Sequence, residues 1–83
     1  MDVMVGRPFH LPIADHDRKE YSIEGPLSDD NPTMEAVTRA KKAGRDVQCG
    51  EGYPSEELAA EECRRAYVGY RRVPAGSIVK RAR

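Results

Sequence analysis

Two short runs of alternating apolar residues, set on either side of a polar link, constrain this chain more than any other feature. In the first, Val5 to Ala14, Phe9, Leu11 and Ile13 fall on one face and His10, Pro12 and Ala14 on the other. In the second, Glu20 to Gly25, Tyr21 and Ile23 share a face. A period of two is that of a strand buried on one side. The link, Asp15-His16-Asp17-Arg18-Lys19, is a polar turn, so the pair predicts a β-hairpin. Pro8 and Pro12 lack the amide proton a ladder needs, which places the first strand at a sheet edge or makes it irregular.

After the hairpin the period changes. Gly25-Pro26 breaks the strand, and Ser28-Asp29-Asp30-Asn31-Pro32 starts a helix, with Asn31 as the expected cap and Pro32 in the first turn. Met34, Val37 and Ala40 form a narrow stripe widened by Ala36 and Ala43, small enough for close approach to a sheet. Lys41, Lys42 and Arg45 suit the negative end of the helix dipole, and Gly44 suits a left-handed stop. Asp46 to Cys49 reads as a third strand with Val47 and Cys49 on one side. Beyond the turn Gly50-Glu51-Gly52-Tyr53-Pro54, Ser55 caps a second helix whose first turn holds Glu56 and Glu57. Ala59, Cys63, Ala66, Tyr67 and Tyr70, joined by Leu58, give it an inner face, and it is expected to reach Arg72, before Pro74. Ala75-Gly76-Ser77 is a turn or linker, and Ile78-Val79 is a further short strand or part of a tail.

The order strand, strand, helix, strand, helix predicts a small ββαβα domain of the α+β class, a three-stranded sheet with two helices packed on one face. Leu58, Cys63 and Tyr67 would then pack against Phe9, Leu11, Ile13, Tyr21 and Ile23. The 83 residues suit one compact domain, assigned to residues 1–76, with residues 77–83 as a basic C-terminal tail. There is no Trp and one Phe, so the core must come from small and medium aliphatic side chains. A core of that kind leans on a partner or on self-association.

No stretch has the apolar length of a membrane span, and Met1 to Val5 lack the basic start of a signal peptide. The expected location is cytoplasmic, with no membrane partner. The two cysteines, Cys49 and Cys63, are too few for a disulfide scaffold and are expected reduced and at least partly buried.

The net formal charge of zero hides a separation along the chain. All 14 acidic residues lie between Asp2 and Glu62 together with seven basic ones, a balance of −7. From Cys63 onward there are seven basic residues and no acid, a balance of +7. Such asymmetry suggests an anionic partner for the basic end, or closure of that end on the chain's own acidic face. The basic residues are Arg64, Arg65, Arg71, Arg72, Lys80, Arg81 and Arg83, and they are the candidate partner-binding or nucleic-acid-binding residues. Arginine binds phosphate bidentately and tyrosine stacks on bases, so Arg64-Arg65, Tyr67 and Tyr70-Arg71-Arg72 could make a nucleic-acid face. If Tyr67 and Tyr70 instead face the core, the same helix is amphipathic with an arginine outer side.

Other chemistry is weakly signalled. His10, Asp15, His16 and Asp17, with Cys49 nearby on the sheet, gather metal-ligand types, but their spacing fits a polar hairpin turn and no zinc pattern. Cys49 has no motif linking it to His16 as a base, and Gly50-Glu51-Gly52 lacks the Gly-Lys-Ser/Thr of a phosphate loop. No catalytic residue, cofactor or metal site is therefore assigned.

From Ile13 to Gly44, the hairpin with its acidic turn, the aromatic strand and the acid-Pro start of a small-residue helix resemble small antitoxin-like domains of the HicB type. The likeness lies in topology and assigns no residue. Three functions follow in order: a non-enzymatic protein-interaction or regulatory module, capable of self-association; a nucleic-acid-binding domain using the basic C-terminal helix and tail; and an antitoxin-like domain. A metal-dependent or thiol enzyme trails them.

Overall fold

The computed structural model describes residues 7–81. They form β1 (Phe9–Asp15), β2 (Glu20–Leu27), α1 (Asn31–Lys42), β3 (Val47–Cys49), α2 (Glu56–Ala66), β4 (Arg71–Arg72) and α3 (Ser77–Arg81). The α+β class expected from the sequence holds, with four strands and three helices in place of three and two. The sheet order is β3-β1-β2-β4. β1 is antiparallel to both β2 and β3, whereas β4 runs parallel to β2, pairing Glu20 with Arg71 and Tyr21 with Arg72.

The hairpin register decides where the core lies. Ile13 stands opposite Ser22, Ala14 opposite Tyr21 and Pro12 opposite Ile23. Residues opposite each other in an antiparallel pair project to the same side of the sheet. The apolar set of β1 (Leu11, Ile13) therefore faces away from the apolar set of β2 (Tyr21, Ile23). Each needs its own cover. Ile13 and Val47 pack with Ala36, Val37 and Ala40 of α1 and Ile78 of α3. Tyr21 and Ile23 pack with Ala59, Ala60 and Cys63 of α2, flanked by Tyr53, Tyr67 and Tyr70.

The expectation of two helices on one face is thus corrected: α1 and α3 cover one face and α2 the other. The contact set expected for α2 is corrected with it. Cys63 meets Tyr21 and Ile23, Ile13 lies beyond the sheet, and Leu58 is 47% exposed.

The helix boundaries have local causes. Ser55 caps α2 as expected, its side chain accepting from the Leu58 N–H at 3.1 Å. α1 differs: its cap position is Asp30, which makes no side-chain capping bond, while Asp29 Oδ1 accepts from the Asn31 N–H at 3.0 Å. α2 stops at Ala66, short of the expected Arg72. Gly69, at φ +87°, takes a backbone conformation closed to most side chains and turns the chain back to the sheet edge as β4. Residues 77–81, read from the sequence as the start of a tail, are helix α3, and Ile78 is 1% exposed within the core. Full burial of such a side chain contributes about 1.5–3 kcal/mol. Among the described residues no helix is long and apolar enough to cross a membrane.

Candidate partner interface

The register that splits the apolar residues also lines up a polar row. Asp15, Glu20, Ser22 and Glu24 lie on the α1–α3 side with Leu11 and Ile13, and all four are buried. Buried carboxylates require partners, and for Asp15 and Glu20 the basic residues provide them. Arg45 Nη2 reaches Asp15 Oδ2 at 3.1 Å, and its other terminal nitrogen donates to the Arg81 carbonyl at 2.8 Å. Arg81 Nη2 donates to Glu20 Oε1 at 2.7 Å and lies 3.5 Å from Asp15 Oδ2. Arg71 closes on the other oxygen of Glu20. Arg71, and after it Arg81, hold the Glu20 carboxyl below its ordinary range against the opposing effect of burial.

The candidate basic residues do not form one face. Arg64 and Arg65 lie on the outside of α2, where Arg65 sits 3.8 Å from both Glu61 and Glu62. Arg71 and Arg72 are on the edge strand β4, and Arg72 donates to Glu56 at 2.7 Å. Lys80 and Arg81 are on α3, across the sheet from α2. Arg83 lies outside the described residues. Arg65, Arg71, Arg72 and Arg81 are thus held by the chain's own carboxylates, whereas Arg64 and Lys80 make no ion pair among the described residues. Tyr67 and Tyr70 are half-buried and stack on each other, ring centres 5.3 Å apart.

A different surface carries unpaired charge. Along the outside of α1, Asn31, Met34, Glu35, Thr38, Arg39, Lys41 and Lys42 are exposed, Met34 by 42%. Asp29 and Asp30 precede them, also exposed. None of these charged side chains forms an ion pair among the described residues. Acids gather at the start of the helix and bases at its end, with Met34 and Thr38 between. Met34, expected in the buried stripe, lies outside it. The inner stripe is instead Thr33, Ala36, Val37 and Ala40. A shallow concavity of about 410 Å³ lies against Asn31, Met34, Glu35, Thr38, Arg39 and Lys42.

Beside it, between α1 and α3, runs a cleft of about 630 Å³. Pro32, Thr33 and Ala36 line one wall, Gly76 and Val79 the other, with Glu24, Glu35, Arg39 and Lys80 around them. Glu24 is 9% exposed, and its Oε2 accepts from the Ser22 hydroxyl at 2.7 Å and the Gly76 N–H at 2.9 Å. Nothing in the local sequence marks this cleft, because its walls meet only in the tertiary fold.

The two histidines are held differently, His16 through its ring and His10 through its backbone. His16 Nδ1 lies 2.6 Å from the Tyr70 hydroxyl and Nε2 3.0 Å from Gln48 Oε1, while its ring meets Tyr67 and Tyr70 edge-on. His10 pairs through its backbone with Tyr53. Among the described residues no three His, Cys, Asp or Glu side chains gather as a metal site. Both cysteines are free, Cys63 buried and Cys49 half-buried, and burial raises the pKa of each thiol. They sit on opposite sides of the sheet, Cys49 against the Ile13 cluster and Cys63 among Tyr21 and Ile23.

Comparison with known protein families, with characterised proteins and with solved structures finds no match to this chain.

Proposed function

We propose that this chain is a non-enzymatic protein-interaction module that pairs with a second copy of itself through the outer face of α1. The observation that carries this reading is the run of unpaired, exposed charge on that face, acidic at Asp29, Asp30 and Glu35 and basic at Arg39, Lys41 and Lys42, around the exposed Met34. Elsewhere the chain pairs most of its candidate cations internally; here charge of both signs is left for a partner. A face ordered acid to base along one helix is complementary to itself when a second copy runs antiparallel. A two-fold axis near Met34 and Glu35 sets Asp30 of each copy beside Arg39 of the other and brings the two Met34 side chains together. Closed two-fold pairing is the commonest symmetry of soluble assemblies. A small core rich in alanine gains stability from such pairing by mass action.

Sedimentation velocity across protein concentration tests this, up to about 1 mM to capture weak pairing. The expected result is a dimer that weakens with added salt, since the flanking contacts are exposed charge pairs. Arg39→Glu should abolish it, and Arg39→Glu combined with Asp30→Arg should restore it. A monomer at every concentration, or a dimer untouched by Arg39→Glu, overturns the reading. Retardation of a duplex oligonucleotide that falls steeply with salt would favour the nucleic-acid reading instead.

A further inference from the structure

We infer that the cleft between α1 and α3 binds a small zwitterion, the ammonium and carboxylate of an amino acid or short peptide carrying an apolar side chain. Its volume of about 630 Å³ lies in the range of small-molecule sites. Four charged side chains line it, Glu24 and Glu35 against Arg39 and Lys80, and no ion pair joins any of them to another among the described residues. Charges of both signs in one cleft are complementary to a ligand bearing both.

Glu24 gives the site a fixed element. Nine-tenths buried, it is anchored through Oε2 by the Ser22 hydroxyl and the Gly76 N–H, while Oε1 has no hydrogen bond among the described residues. That oxygen suits an ammonium donor, and a charge-assisted bond there is stronger than a neutral one. Arg39 and Lys80 suit the carboxylate at the rim. Pro32, Ala36 and Val79 supply apolar wall for a side chain.

The probes are L-leucine, the dipeptide Leu-Leu, and Leu-Leu with its amino end acetylated or its carboxyl end amidated. The readout is the amide resonances of Gly76 and Thr33 in ¹H–¹⁵N spectra of the full chain, Gly76 because its N–H bonds Glu24 directly. A saturable shift is expected with leucine, Leu-Leu or both, and which one binds tighter separates a free amino acid from a peptide. Each capped form should bind about tenfold or more weakly, for the loss of one charge-assisted hydrogen bond. Lys80→Gln, at an exposed position, should weaken the uncapped ligand without altering the melting temperature, and Glu24→Gln should do so while leaving an oxygen for Gly76. No saturable shift by about 10 mM ligand, weaker than the millimolar range of small-ligand binding, overturns the inference, as does equal binding of the capped forms. The cleft shares Glu35 and Arg39 with the outer face of α1, yet the two readings fail separately, since sedimentation reports pairing and the Gly76 amide reports the ligand.

Discussion

Arg81 Nη2 lies 2.7 Å from Glu20 Oε1, a contact spanning 61 positions of sequence that joins α3 to the first hairpin. The same guanidinium lies 3.5 Å from Asp15 Oδ2, so it bridges two buried carboxylates standing opposite each other in the β1–β2 ladder. Removing Arg81 leaves Asp15 to Arg45 alone and Glu20 to Arg71 alone, two buried carboxylates side by side with one cation fewer, which costs more than losing an exposed pair. Arg81→Ala should therefore lower the melting temperature clearly. Arg72→Ala, which breaks an exposed pair with Glu56, should cost at most about 1 kcal/mol. Equal effects of the two substitutions would show that the bridge adds nothing to the fold.

The pH dependence has a defined sign. Arg71 and Arg81 lower the folded-state pKa of Glu20 below its ordinary 4.5. Such a group binds its proton more readily in the unfolded chain, so its contribution is fully present above about pH 4.5 and fades as pH falls through the lower folded value. Urea midpoints measured from pH 7 downward should hold until that region and then drop. Glu20→Gln should flatten the drop.

Ile78 should behave as core. At 1% exposure, Ile78→Ala is expected to cost about 2–5 kcal/mol, including the cavity it leaves. That is comparable to the whole margin of a small domain, roughly 5 kcal/mol at the low end. A chain ending at Gly76 should fail to give a cooperative melt. A truncated chain that melts as the full one does would return residues 77–81 to the status of a tail.

The thiols should label in sequence. Cys49, half-buried at the edge strand, should react slowly with a bulky reagent under native conditions, and Cys63 only on unfolding. With the sheet between them, mass spectrometry without reductant should find no bridge within one folded chain, because disulfide geometry demands Cα atoms within about 7 Å.

Features fixed by neighbours in sequence were readable in advance. The hairpin turn, the Ser55 cap and the turn at Gly44 depend on a few adjacent residues and stand where the pattern put them, whereas β2 runs on through the expected break at Gly25-Pro26 to Leu27. What eluded the pattern depends on parity and on distant partners. Leu11, Ile13, Tyr21 and Ile23 are all odd-numbered and look like one apolar face. The ladder pairs odd with even, Ile13 with Ser22, and so sends β1's set to one side and β2's to the other. Burial of Glu20 and Glu24 was invisible for the same reason. Met34 and Val37 both fit a helical stripe, and only the placement of the sheet decides that Met34 faces out. For the candidate site, Arg71, Arg72 and Arg81 drew attention through the charge asymmetry, but the acids that hold them lie far back in the chain. The cleft between α1 and α3 left no local trace.

The parallel seam between β2 and β4, together with α3 closing over Asp15, sets an order on how the protein comes into being. The hairpin is synthesised early, yet Asp15 and Glu20 wait for Arg81, and the Ile13 side of the sheet, already met by α1, waits for Ile78 to complete its cover. Until then the nascent chain carries an uncovered acidic and apolar surface. Pairings this far apart in sequence are slow to find, and such exposed surface is where newborn chains stick to one another. The fold therefore cannot close before α3 has left the ribosome, and a chain stalled before Ile78 would have α1 alone over that side of its sheet.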